Sequence, residues 1–188
     1  MNERDLLADC LRLLNGLGFP YMLTGSMASN FWGVPRTTHD LDFVLVYEAA
    51  NAPAIVAAFQ EGFSLDEVAV RTGLREPYMF NAIDRRSALK VDFWALRAEP
   101  FDQEMFGRRR PVELFGEPAW IATAEDTILH KLYWNRLTPS ERQVLDAAGI
   151  VAVQEHLDRD YLTRWARSLG VEGVLLDLLS GRIRPKNS

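Results

Sequence analysis

The feature that most limits what this chain can become is a change of hydrophobic period near residue 122. Before it, short apolar runs of strand length are interleaved with segments of helical spacing. After it, the apolar pattern is almost wholly helical. That order predicts an α+β fold: a mixed or antiparallel sheet with flanking helices, followed by a C-terminal helical region. We expect residues 1–122 to form the α/β core and residues 123–188 the helical region. No internal repeat or low-complexity segment interrupts the pattern.

Helices are expected over residues 3–16, where Leu6, Leu7, Cys10, Leu11, Leu13 and Leu14 recur at helical spacing with Leu17 beyond, and over 27–32 and 52–61. Residues 21–24 and 41–47 read as buried strands, and 78–83 with 88–96 as a strand pair joined by the polar turn 84–87. A second pair is expected at 111–115 and 119–122, turning over 116–118. Residues 64–76 suit a helix followed by a loop. Thr123 can cap a helix running to residue 137, and Pro139 opens the next. Two more are expected at 159–169 and 171–179, with the tail 181–188 frayed.

At 188 residues and 48% hydrophobic, the chain can bury a sizeable core. Its net charge of −5 gives no global attraction to nucleic acid or anionic membranes, so such binding needs a local basic patch. Cys10, the one cysteine, lies in a leucine-rich helical run and suits core filling. No apolar run approaches the roughly 20 residues that span a bilayer. The first residues are acidic and polar, unlike a secretory leader, so a cytoplasmic location without membrane partners is expected.

The chemistry concentrates in Thr24-Gly25-Ser26-Met27-Ala28 and Arg36-Thr37-Thr38-His39-Asp40-Leu41-Asp42-Phe43. On a strand Asp40 and Asp42 would project together, and two adjacent carboxylates repel unless a counter-cation relieves them. Mg²⁺ prefers oxygen ligands and suits that role. Taken alone, such a pair reads as a turn cap beside a solvated strand face. Here it has company. Gly25-Ser26 falls between a strand and a helix, where backbone N–H groups can meet phosphate or where the chain simply turns. Asp92 supplies a third acid on a later strand, sharing one face with Lys90 and Trp94. An aspartate amid Val91, Phe93 and Trp94 is costly unless paired, hydrated, metal-bound or on a wet edge.

The run G-S-x-A followed by R-x-T-x-D-x-D-F resembles the signature of the DNA polymerase β-like nucleotidyltransferase superfamily. Within it, the chain looks most like the minimal AbiEii-type proteins of type IV toxin–antitoxin systems. The likeness continues through Lys90-Val-Asp92, Glu125-Asp126 with Lys131, Arg142-Gln143-x-x-Asp146, and Tyr161-Leu-Thr-Arg164-Trp165-Ala. It implies a nucleotidyltransferase sheet and transfer of a nucleoside monophosphate from an NTP to an acceptor hydroxyl, releasing pyrophosphate. Asp40, Asp42 and Asp92 would bind Mg²⁺, or Mn²⁺ in its place, with Asp92 acting as or positioning the base. Gly25, Ser26 and Arg36 would hold the triphosphate, and Lys131 would face the nucleotide. The acceptor would be a tRNA 3′ end in a toxin-like enzyme, with an antitoxin encoded separately. A small-molecule hydroxyl, a protein side chain, or a silent nucleotide-binding module are the alternatives. Toxin relatives often carry a lysine–aspartate pair where this chain has Arg142-Gln143.

Other residues read more plainly. His39 suits a surface turn, and no Cys/His cluster suggests zinc. Arg108-Arg109-Arg110 reads as a solvated turn with an option on phosphates. Arg159, Arg164, Arg167, Arg182, Arg184 and Lys186 make the C-terminal end basic, a candidate acceptor surface. Trp94 could stack a base. Lys131, at the margin of its helix's apolar side, could bury its stem and direct its ammonium into a cleft that holds the triphosphate, or stay solvated beside an acid a turn away.

Overall fold

The computed structural model describes residues 3–185, so Lys186 and the end of the expected frayed tail lie outside the described residues. The chain divides into two compact units. The first comprises residues 1–24 and 38–121; the second comprises 25–37 and 122–188. Segment 25–37 groups with the later helices rather than with the sheet.

The first unit holds helix α1 (Glu3–Leu17) and strands β1 (Tyr21–Thr24) and β2 (Leu41–Leu45). After a single 3₁₀ turn come α3 (Ala52–Phe59), β3 (Phe63–Ser64) and α4 (Glu67–Thr72), with α2 reserved for the second unit. The unit closes with β4 (Met79–Asp84), β5 (Lys90–Ala95), α5 (Pro100–Arg108), β6 (Arg110–Leu114) and β7 (Glu117–Ile121). The strands form one mixed sheet ordered β3-β4-β5-β2-β1-β7-β6. β2 pairs with β5, and β1 with β7, in parallel; the other neighbours are antiparallel. The fold class is therefore α+β with a mixed sheet, as the hydrophobic periods require.

One sheet face is apolar. Phe43, Phe93 and Phe80 are consecutive partners across β2, β5 and β4, and their rings stack at 5.7 and 5.0 Å. Phe59 of α3 meets Phe93 edge-on at 5.4 Å, which seats the helix on that face. The buried stripe of α1 (Leu6, Leu7, Cys10, Leu11 and Leu14) belongs to the same core. Burial also pushes the Cys10 thiol pKa up, consistent with core filling. Strand alternation then commits Asp42 and Asp92 to the opposite face.

Two local expectations fail here. The hairpin turn after β6 is the two-residue Phe115-Gly116, with φ of 52° and 83°, so Glu117 and Pro118 belong to β7. That twist suits a tight hairpin, and only the second position is a glycine. Helix α5, for which the sequence reading made no provision, buries Phe101, Met105 and Phe106 and has Pro100 in its first turn.

The second unit contains α2 (Gly25–Trp32), α6 (Ala124–Leu137), α7 (Glu141–Val153), α8 (Arg159–Leu169) and α9 (Glu172–Leu179). Helix α2 packs against α6 and α7. A Cβ on Gly33 would lie 2.7 Å from the Ile150 nitrogen and 2.8 Å from the Gly149 carbonyl carbon. Only glycine lets the two backbones approach so closely. The Trp32 indole donates to the Ala122 carbonyl at 2.7 Å, and the Gln154 amide donates to the Trp32 carbonyl at 2.6 Å. These bonds tie residues 25–37 to the later helices. Thr123 caps α6, accepting from the Asp126 amide, while buried Asp126 accepts from the hydroxyls of Thr123 and Tyr161. That accounts structurally for the Glu125-Asp126 part of the motif. Among the described residues no helix is long and apolar enough to cross a membrane.

Candidate active site

Across the polar face of the first unit's sheet runs one row of paired residues. Thr24 of β1 is the partner of Asp42 of β2, Asp42 of Asp92 of β5, and Asp92 of Asn81 of β4. Two carboxylates thus stand on adjacent strands, at the lateral spacing of about 4.8 Å between neighbouring chains. Asp42 is half-buried and Asp92 is 8% exposed.

Partners on the same face serve these acids unequally. The Trp94 indole donates to Asp42 Oδ1 at 3.3 Å, so Trp94 has a polar duty in the row beyond any stacking. The Lys90 ammonium lies 2.8 Å from Asp92 Oδ2. Its pKa is raised chiefly by that hydrogen bond; burial opposes the shift, and the charges of Asp92, Asp40 and Asp42 each add to it by less. Asp92 Oδ1 is buried and has no hydrogen-bond partner among the described residues, and the same holds for Thr24 Oγ1. A buried carboxylate oxygen left without a donor is expensive, and a cation would satisfy it.

Asp40 differs from expectation. It precedes β2 and is exposed, so it lies just outside the strand that carries Asp42. The reason lies in register: β1 ends at Thr24, opposite Asp42, and the β5 ladder begins at Leu41 with Val91, so no pairing reaches residue 40. Its carboxylate still acts on Lys90. Among the described residues no group of three or more His, Cys, Asp or Glu is gathered tightly enough to hold a metal ion. The pair Asp42 and Asp92, with its orphaned oxygen, nevertheless fits a divalent cation, with Asp40 as a peripheral acid.

In the second unit a different polar cluster forms around Asp146 of α7. Arg36 grips it with two bonds, Nε to Oδ1 at 2.6 Å and Nη2 to Oδ2 at 2.7 Å. The Lys131 ammonium of α6 reaches Oδ2 at 2.8 Å, and Arg36 Nη2 also donates to Ser26 Oγ at 3.0 Å. Burial pushes the Asp146 pKa up, but the Arg36 bonds and the Lys131 charge outweigh it, and the net shift is downward. Two cations thus face one carboxylate beside a serine hydroxyl. Gly25 opens α2 with φ of 62°. Lys131 is only 5% exposed, so its ammonium is turned to Asp146 rather than outward.

The sequence matches no protein-family model and no curated protein. Solved structures do match. The antibiotic-resistance factor ANT(2'')-Ia superposes with a TM-score of 0.54 at 15% identity, over 96% of this chain and 90% of that one. An antigenic nucleotidyltransferase-like protein from Paracoccidioides brasiliensis gives 0.58 at 12%, over 96% and 93%. The lincosamide antibiotic adenylyltransferase LnuA gives 0.57 at 10%, over 82% and 99%. The fold is nucleotidyltransferase-like.

The remaining candidates settle as follows. His39 is exposed and its Nδ1 lies 2.6 Å from a Glu3 carboxylate oxygen. The Arg108–Arg110 run is no solvated turn: Arg108 ends α5, Arg110 begins β6, and Arg109 is half-buried over the rings of Phe106 and Trp120. Burial holds the Arg109 pKa down. In the basic C-terminal segment Arg167 pairs with Glu172 and Arg182 with Asp177, while Arg164 lies over Tyr161 and Trp165. Gln143 has a buried Oε1 with no partner among the described residues. The Arg36–Asp146 pair escaped the sequence reading because its members lie 110 residues apart.

Proposed function

We propose that this chain transfers a nucleoside monophosphate from an NTP to an acceptor hydroxyl and releases pyrophosphate. The observation that carries the reading is the in-register Asp42–Asp92 pair with its orphaned Asp92 Oδ1, set in a nucleotidyltransferase-like fold. Asp42 and Asp92, with Asp40 beside them, would hold Mg²⁺ or Mn²⁺. Such a cation supplies positive charge that lowers the pKa of the attacking hydroxyl and neutralises the triphosphate. The acceptor oxygen bonds to the α-phosphorus, the bond from that phosphorus to the bridging oxygen breaks, and pyrophosphate departs with the electron pair. Asp92 takes the hydroxyl proton or orients the group that does.

Gly25, Ser26 and Arg36 are assigned to phosphate oxygens, since a guanidinium and a hydroxyl are suitable donors for them. Lys131 then serves as a positioning residue, because its ammonium reaches Asp146 and Asp146 holds Arg36.

For the acceptor, a small-molecule hydroxyl of the antibiotic class is the reading we favour. The fold is shared with a lincosamide adenylyltransferase and with ANT(2'')-Ia, solved with adenylyl-2''-tobramycin. The pairing of Arg167 and Arg182 with acids weakens the basic surface that a tRNA 3′ end would need. The toxin-like alternative, with tRNA as acceptor and a separate antitoxin, rests on the motif likeness. The test is incubation with each α-labelled NTP and Mg²⁺ against aminoglycosides, lincosamides and total tRNA. Label on an antibiotic supports the reading; label on tRNA alone moves the protein to the toxin-like class.

A further inference from the structure

The sheet row contains its own cation. Lys90 leans on Asp92 Oδ2 at 2.8 Å, and Asp92 is the ladder partner of Asp42. We propose that Lys90 is a built-in counter-ion of the acidic row, which a divalent cation must displace from Asp92 before it can load. This rests on the reading of the row as a cation site.

Three observations carry it. First, the ammonium satisfies only one Asp92 oxygen and leaves Oδ1 buried without a partner among the described residues, so the carboxylate is half-served. Second, a divalent ion bound at that carboxylate would stand within a few ångströms of the ammonium, and like charges at such range repel strongly. Third, the Lys90 side chain is 46% exposed, whereas that of Asp92 is 12% exposed. The lysine has a flexible stem and a route into water, while the aspartate is fixed by its strand. The displaceable member is therefore Lys90.

Metal loading is thereby made weaker than three carboxylates would dictate, since one of their charges is already answered within the chain. The row gains protection from the mutual repulsion of its acids when no metal is bound. It also discriminates against free cations at low concentration.

The test is direct titration of the full chain with Mn²⁺, without nucleotide, reading free Mn²⁺ by electron paramagnetic resonance. Lys90→Met should bind Mn²⁺ roughly fivefold more tightly than the unsubstituted chain, the scale of a half-exposed ion pair. Lys90→Arg, which keeps the charge, should stay near the unsubstituted value. Lys90→Gln is the companion variant if the methionine perturbs folding, and it should also bind more tightly. Equal or weaker binding in both neutral variants overturns the counter-ion role while leaving the cation site standing. No saturable binding in any variant, or binding unaffected by Asp92→Asn, overturns the reading of the row itself.

Discussion

Asp42 and Asp92 are direct partners on the parallel strands β2 and β5, yet their environments differ: an indole donates to Asp42, while Asp92 keeps one buried oxygen without a donor among the described residues. A folded chain has little reason to retain such an oxygen for stability. Sites that violate polar satisfaction tend to be functional.

Asp92→Asn should therefore separate function from stability. Transfer is expected to fall by about 10²-fold or more, the scale of losing one group that meets developing charge. The thermal midpoint should stay level or rise, because the change removes a buried charge and leaves Lys90 in water. Calorimetric melts beside turnover measurements check both halves.

Asp146→Asn should do the reverse at neutral pH. It weakens the shared anchor of Arg36 and Lys131, at a cost of about 3 kcal/mol on the scale of broken buried pairs. The folded-state pKa of Asp146 is depressed below its ordinary 3.8. Its contribution is therefore complete above the unfolded value and is lost as pH falls through the lower folded value. Denaturant melts should show a constant gap between the two proteins above about pH 5, closing at lower pH.

Much of this was legible beforehand, and the exceptions have physical causes. Period-two alternation in Lys90-Val91-Asp92-Phe93-Trp94 places Lys90, Asp92 and Trp94 on one face, and the structure joins Lys90 to Asp92 and Trp94 to Asp42. Helix α1 follows from its leucine spacing, although it runs to Leu17 and turns at Gly18, with φ of 69°. Asp40 falls one residue outside β2, because the end of a strand depends on how far its neighbours extend, which its own residues do not encode. Helix α5 carried a usable signal in Pro100 with Phe101, Met105 and Phe106, but its apolar positions are few. Lys131 sits at the margin of an apolar stripe, which fits an outward ammonium as well as an inward one; only Asp146 on α7 decides between them.

Lys131→Met tests that reassignment. An outward lysine would tolerate it, whereas a lysine bonded to a buried carboxylate should lose about 2 kcal/mol of stability, the scale of a charge-assisted hydrogen bond. Chemical denaturation at neutral pH measures the difference. A change under a few tenths of a kcal/mol would return Lys131 to the surface.

Gly33→Ala probes the packing of α2. The added methyl would meet backbone atoms of α7 at 2.7 and 2.8 Å, which cannot rotate aside. A loss of about 2 kcal/mol is expected, as for other overpacked sites. The same substitution at Gly173, where a Cβ meets nothing within 4 Å, should be neutral or mildly stabilising.

The central claim is nucleotidyl transfer through the Asp42–Asp92 pair, and position-specific labelling of the NTP tests it most directly. With Mg²⁺ and the acceptor panel, label from the α-phosphate should appear on an acceptor, and label from the γ-phosphate should appear only in pyrophosphate. Both signals should fall by about 10²-fold or more in Asp92→Asn, with the melting temperature level or raised. Transfer of the γ-label to an acceptor, or full α-label transfer by Asp92→Asn, would contradict the account.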